Sequence, residues 1–288
     1  MVEFYDPITK ENKSYYIAKE IRAKWKKVRN GQLVKDDDDR VYIVDGRERT
    51  GKSVFTLQQA KYLDPTFNVD RVCFTPEAFL YQIRHAPKGS VVVFDEAFRG
   101  LSSKGTQSKV NKKIVQAMME MGQRNLIIFI VLPTFFLLEI YAAVLRSNAL
   151  FHIYRDKKGI RKWRVYNYQE KSILYQVGKK RGLSYSFPKA RIRGRFYGKY
   201  PIDEQKYRDK KLKSLQEDTE AMEEPIKDEK GTHLFCFYLF DLGKSVKEVG
   251  EILKNGGKEV SQRQLYNIKD KWKKKKRLKE EKLLIAVE

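Results

Sequence analysis

Between residues 40 and 155 the chain alternates two hydrophobic patterns: short, nearly continuous apolar runs, and longer stretches in which apolar positions recur every three or four residues. The first pattern predicts buried strands at Val41–Asp45, Arg71–Phe74, Ser90–Phe94, Leu126–Leu132 and Leu150–Tyr154. The second predicts helices at Lys52–Leu63, Pro76–Ala86, Lys109–Gln123 and Phe135–Leu145. Strands alternating with helices imply an α/β fold with a mainly parallel sheet, and the lack of a polar face on the strands implies helices on both sides. Ahead of this block, Ile17, Ile21, Trp25 and Val28 form the apolar stripe of an amphipathic helix, which an acidic loop at Asp36–Asp39 follows.

Residues 231–288 carry a helical rhythm only. Ser245-Val-Lys-Glu248 reads as a capping box opening a helix with Val246, Val249, Ile252 and Leu253 inward, and Asn255-Gly-Gly257 ends it. Ser261 and Gln264 cap another helix with Leu265, Ile268 and Trp272 on one stripe, and Leu234–Leu242 supplies a first helix. Residues 202–230 hold seven basic and ten acidic side chains with Tyr207 as their sole aromatic, the composition of a solvated linker or an exposed helix. The expected organisation is an N-terminal helix and acidic loop (1–37), an α/β domain with a basic hairpin and arm (38–200), an acidic linker (201–230) and a small all-α domain (231–288).

Composition then narrows the partner. With 288 residues and 41% apolar side chains, the chain can build a full core and is long for one unit. Sixty Lys and Arg against 37 Asp and Glu leave a net charge of +23, which points to a polyanion and away from an ordinary metabolic enzyme. More than half of that surplus falls in residues 151–200, which hold fifteen basic and two acidic side chains. Cys73 and Cys236 are too few and too far apart for a disulfide framework or a Cys-based zinc site, so a reducing compartment and no structural metal are the default expectations. The first residues, with Glu3, Asp6 and Glu11, do not read as a secretory signal. Leu126–Leu138 is uncharged, and tolerating Glu139 extends it to Leu145, near the ~20 residues a bilayer requires. Pro133 interrupts it, and a strand followed by a helix explains the same letters, so no membrane partner is expected.

Two motifs carry the candidate chemistry. Gly46-Arg-Glu-Arg-Thr-Gly-Lys-Ser53 stands between a predicted strand and a predicted helix, which is the P-loop pattern in its required context. Backbone N–H groups of Gly46, Arg47, Glu48, Arg49, Thr50 and Gly51, with the helix start at Lys52, Ser53 and Val54, would surround phosphates. In that reading Lys52 reaches the β and γ oxygens and Ser53 ligates Mg²⁺. The second motif, Ser90-Val-Val-Val-Phe-Asp95-Glu96, ends a buried strand in two carboxylates at the ligand edge of the sheet. Asp95 suits the hydration shell of Mg²⁺, and Glu96 suits polarisation of an attacking water. The expected cofactors are ATP and Mg²⁺. Phosphoryl transfer also needs a cation near the γ-phosphate, for which Arg99, Arg124, Arg146 and Arg155 are candidates and Arg124, acting from a neighbouring subunit, is the choice.

In the order P-loop, Asp95-Glu96, a loop with Ser and Lys, a helix containing Asn111-Lys112, then Arg124-Asn125 before an apolar strand, residues 38–156 resemble the FtsK–HerA superfamily of DNA-pumping ATPases. They are more particularly similar to the short ATPases of viruses and plasmids, which include genome-packaging motors and the zonula occludens toxin-like proteins of filamentous phages. The resemblance implies a RecA-like P-loop NTPase core, a homo-oligomeric and hexameric ring with DNA in its pore, and a capsid or nuclease partner. It also implies work in the host cytoplasm or in association with a virion. One departure stands out: where such translocases usually place a glutamine sensor, this chain reads Val131-Leu-Pro-Thr134, which leaves the Thr134 hydroxyl as the substitute.

The basic segments are the candidate DNA contacts. Lys157, Lys158, Arg161 and Arg164 surround Gly159 in a predicted hairpin, and Arg191, Arg193 and Arg195 follow, interleaved with Tyr185, Phe187, Phe196, Tyr197 and Tyr200. Cations attract phosphates and aromatics stack on unpaired bases; a solvated arm is the alternative. The C-terminal helices look like a helix-turn-helix in which Gln262, Arg263, Tyr266 and Asn267 face base edges and a lysine run including Lys273 holds phosphates. A helical docking module is the alternative there. The function expected is ATP-driven movement or packaging of DNA for a virus or mobile element. The rivals are a zonula occludens toxin-like assembly ATPase and an ATP-gated DNA-binding switch.

Overall fold

The computed structural model describes residues 1–6, 11–29, 32–97, 104–223, 231–257 and 260–285, and it divides into two units, Met1–Asp218 and Thr219–Glu288. The first unit begins with a hairpin, β1 (Val2–Asp6) and β2 (Glu11–Tyr15), then α1 (Lys19–Trp25) and α2 (Gln32–Lys35). The α/β block follows as β3 (Arg40–Asp45), α3 (Lys52–Leu63), β4 (Val72–Cys73), α4 (Pro76–His85), β5 (Val91–Phe94), α5 (Lys104–Glu120), β6 (Ile127–Val131) and β7 (Ala149–Arg155). It continues with β8 (Arg161–Tyr166), α6 (Tyr168–Lys180), β9 (Ile192–Arg195) and α7 (Glu204–Glu223). The second unit holds α8 (Gly231–Asp241), α9 (Val246–Asn255) and α10 (Gln262–Ile285).

One seven-stranded sheet runs in the order β4-β5-β6-β3-β7-β8-β9. Strands β4 to β7 are parallel, and β8 and β9 extend the edge as antiparallel strands. The fold is thus mixed α/β around a mostly parallel sheet. Alternation along β3 explains its two cores: Val41 and Ile43 pack among α4, α5 and α6, while Tyr42 and Val44 pack toward α1 and α3. On the second face Trp25 meets Tyr42, Phe129 and Phe151 at ring centroid distances of 4.8, 6.4 and 5.9 Å, and its indole N–H donates to Gln59 at 2.9 Å. That bond satisfies the one polar atom of a buried tryptophan.

Several expectations need correction. The N-terminal stripe residues Ile17, Ile21, Trp25 and Val28 are all buried, but the helix covers only Lys19–Trp25 and a hairpin precedes it. Residues 1–37 are therefore part of the sheet unit. The helix expected over Phe135–Leu145 is instead a 3-10 turn at Phe135–Leu137 and a π-helical stretch at Tyr141–Arg146. The physical reason lies in competing donors and acceptors. Asn111 donates to the Leu137 carbonyl (3.2 Å) and accepts from the Glu139 N–H (3.1 Å), and the Tyr175 hydroxyl donates to the Leu138 carbonyl (2.7 Å). The basic arm after the hairpin is largely ordered secondary structure: α6, opened by a capping box of Asn167 and Glu170, and the edge strand β9. The acidic linker is helical from Glu204 to Glu223, and its first turns pack on the sheet through Tyr207, which is 2% exposed.

Among the described residues from Gly231 onward, the second unit has three helices around Cys236, Phe240, Val249, Leu253, Leu265 and Ile268. Both capping boxes read from the sequence form: Ser245 with Glu248, and Ser261 with Gln264. Trp272 donates to Asp241 at 2.8 Å, tying α10 to the end of α8.

Lys171 is fully buried beneath the π-helical stretch, donating to the Ala143 carbonyl at 3.2 Å and to that of Val144. Burial pushes its ammonium down from 10.5 to about 8. Between those values the unfolded chain binds more protons than the folded one, so this residue makes stability rise with pH across that window. Lys171→Met is expected to flatten the rise, read as the urea midpoint at pH 8 against pH 10; an unaltered slope would contradict the assignment.

Candidate functional site

The site forms where the parallel strands end. Asp45 closes β3, and the chain turns at Gly46 with φ of +140°, where a Cβ would stand 2.0 Å from the Ile153 carbonyl oxygen of β7. No residue but glycine fits so close an approach. Arg49 (φ +59°) and Gly51 (φ +98°) are left-handed, and backbone of that kind turns successive N–H groups toward one point, ahead of the N-terminus of α3. Side chains brace the loop: Thr50 donates to the Arg47 carbonyl at 2.7 Å, and Arg155 donates to the Arg49 carbonyl at 3.1 and 3.2 Å. Lys52 Nζ donates to the carbonyls of Gly46 (2.6 Å) and Arg47 (3.0 Å). Burial lowers its proton affinity, which Asp95 and Asp45 oppose.

Asp95 stands at the end of β5, 1% exposed. One oxygen accepts the Glu96 N–H at 2.9 Å, the other accepts the Tyr207 hydroxyl at 2.5 Å, and Ser53 hydrogen-bonds the same carboxylate. Burial pushes its proton affinity up; the Tyr207 bond, the Lys211 charge and the Ser53 bond pull it down. Glu96, in left-handed backbone (φ +55°), is half-exposed and pairs with Lys211 Nζ at 2.5 Å. Ser53 and Asp95 are thus joined directly, a hydroxyl and a carboxylate of the kind that hold a hard cation or its water shell.

These residues line a pocket of about 790 Å³. Its lining includes Glu48, Arg49, Gly51, Lys52, Ser53, Val54, Asp95 and Glu96. Arg155, Arg161, Tyr200, Arg208 and Lys211 also line it, as do Val131, Leu132 and Pro133. Tyr200, expected among the aromatics that stack on bases, lies at the pocket instead, and the sequence reading assigned Tyr207, Arg208 and Lys211 no role in the site. A lone aromatic in a charged segment, four residues before a lysine, was the one available signal.

Other expected residues are elsewhere. Thr134 does not line the pocket; its hydroxyl contacts the Tyr185 hydroxyl at 3.0 Å, because Tyr185 also donates to the buried Asp45. Arg124 precedes β6, at the opposite end of the sheet from the loop, and donates to the Ala86 carbonyl at 3.0 Å. Arg146 is held by Asp39, and Arg99 lies outside the described residues. Arg161 turns into the pocket rather than outward, packing on Gly51 and Gly198. Arg164 lies over the Tyr154 ring at 4.6 Å. Lys157, Lys158, Arg191, Arg193 and Arg195 are exposed, as are Gln262, Arg263, Tyr266, Asn267 and Lys273 in the second unit. Of the aromatics proposed for stacking, Phe187 and Tyr197 are about half exposed, at 49% and 51%, whereas Phe196 is buried.

No family model matches the chain, and no curated protein matches it. Among solved structures it is similar to the N-terminal domain of zonular occludens toxin from Neisseria meningitidis, with 16% identity and a TM-score of 0.36, covering 59% of this chain and 98% of that one. No helix among the described residues is long and apolar enough to cross a membrane.

Gly46→Ala is expected to destabilise the protein by about 1–3 kcal/mol, because the new methyl meets a backbone carbonyl that cannot move aside. A lowered urea midpoint with an unchanged slope is the check; an unmoved midpoint would refute the close approach.

Proposed function

We propose that this chain is a Mg²⁺-dependent ATPase that moves or packages DNA for a virus or mobile element. The observation that carries the reading is the convergence of Lys52, Ser53, Asp95 and Glu96 on one pocket. Lys52 and the loop N–H groups bind the phosphates. Ser53 and Asp95 would hold Mg²⁺, which when bound neutralises phosphate charge. Glu96 takes the proton of a water that attacks the γ-phosphorus, while the bond from that phosphorus to the β–γ bridging oxygen breaks and ADP leaves.

The DNA part of the reading is supported by charge. Exposed cations stand on the β7–β8 turn and on the edge strand β9, where they would grip phosphates. The exposed start of α10 would contact bases as the second element of a helix-turn-helix, with Lys273 on the backbone. A homo-oligomeric, hexameric ring around the duplex, with a capsid or nuclease partner, completes the proposal.

The test is the steady-state ATPase rate with and without duplex DNA at two salt concentrations. Lys52→Ala is expected to abolish hydrolysis, and Glu96→Gln to lower kcat by about 10²–10⁴-fold. Duplex is expected to raise the rate of the native chain, and the gain to fade with salt. A rate indifferent to DNA would overturn the motor and favour an assembly ATPase.

A further inference from the structure

Within one chain the described arginines named for the cation beside the carboxylates are engaged elsewhere, and Arg161, which also lines the pocket, packs on Gly51 and Gly198. Arg124 lies at the far end of the sheet, Arg146 is paired with Asp39, and Arg155 is spent on the Arg49 and Gly159 carbonyls. A different cation is present. Lys211, from the third turn of α7, lines the pocket and sits 2.5 Å from Glu96. Its side chain is 29% exposed, so its charge is incompletely screened by water. Arg208, also at the pocket, is 60% exposed and paired with Glu204.

We propose that Lys211 supplies, from within the same chain, the positive charge beside the transferred phosphate, which makes α7 part of the catalytic apparatus. This rests on the ATPase reading above. In phosphoryl transfer, charge spreads over the three equatorial oxygens of the moving group, and a fixed cation there lowers the barrier. An ammonium on a flexible four-carbon stem can exchange Glu96 for a phosphate oxygen within its reach. When it does, the ammonium leaves the carboxylate that is to take the proton of the attacking water. Lys211 itself gains and loses no proton; water adds to the γ-phosphorus as ADP departs.

Tyr207 is the positioning residue of this arrangement. It stands one helical turn before Lys211 on the same face, and its hydroxyl is anchored on Asp95 at 2.5 Å. Docking of α7 by that bond sets where the Lys211 ammonium lies.

The test uses the full chain with Lys211→Met, which keeps the stem, Lys211→Arg, which keeps the charge, and Tyr207→Phe. ATP-dependent rates give kcat and KM, affinity for a fluorescent ATP analogue gives binding, and thermal melting reports folding. Lys211→Met is expected to melt like the native chain and bind the analogue within about threefold, while kcat falls about 10²–10³-fold. Lys211→Arg should recover at least a tenth of the native kcat, and Tyr207→Phe should lower kcat more than it raises KM. A Lys211→Met chain as active as the native one overturns the proposal, and a faster one would make α7 an inhibitory strap instead. A native chain without hydrolysis overturns the ATPase reading as well, which separates the two failures.

Discussion

A carboxylate with 1% exposure cannot stay ionised without donors, and Asp95 draws them from three directions. Ser53 comes from the start of α3, the Glu96 N–H from its own turn, and Tyr207 from a helix more than a hundred residues on. Each donor pins a different element to the end of β5. The phosphate loop, the turn that aims Glu96, and the helix that brings Lys211 are therefore placed by one buried charge. Removing any donor would leave part of that desolvation uncompensated, which is why the arrangement is tightly specified.

A second buried carboxylate stands at the start of the loop. Asp45, at 0% exposure, accepts the Phe135 N–H at 2.8 Å and the Tyr185 hydroxyl, and its other oxygen contacts His152 Nδ1 at 2.8 Å. His152 stacks on Tyr185 with centroids 4.0 Å apart. Asp45 and Asp95 each end a strand at the sheet's carboxyl edge, and each accepts a hydroxyl from a tyrosine of the chain beyond β8. The sheet order places β6 between β3 and β5, so the two carboxylates are separated by the residues that follow β6, Leu132 and Pro133, which line the pocket.

What was legible in the sequence is what depends on local chemistry. The glycine spacing at Gly46 and Gly51, the strand ending in Asp95-Glu96, and the capping residues Ser245, Glu248, Ser261 and Gln264 each act over a few residues, and the structure has those local features. Elements docked by a single long-range bond were not legible. Tyr207 joins α7 to Asp95 across 112 positions, and in a segment of seven bases and ten acids its being the sole aromatic does not say which distant group it meets. The failed helix after Pro133 makes the same point from the other side. Its apolar period is helical, but Asn111, Tyr175 and Lys171 take the backbone groups a regular helix would have paired.

The local surplus in residues 151–200 also divides once side chains are placed. Arg155 and Arg161 face the phosphate pocket, Lys171 is buried, and Arg164 covers an aromatic ring. Lys162 pairs with Asp156 at 2.8 Å. What remains for an external polyanion is the exposed set at the β7–β8 turn, at the end of α6 (Lys179, Lys180 and Arg181), at Lys189 and Lys199, and on β9, where charge on an edge strand also blocks pairing with another sheet. A basic run in a sequence therefore overstates the surface it offers. Part of this one is directed at a small anion inside the pocket, so nucleotide and long polyanion would be sensed by neighbouring cations of the same two strands.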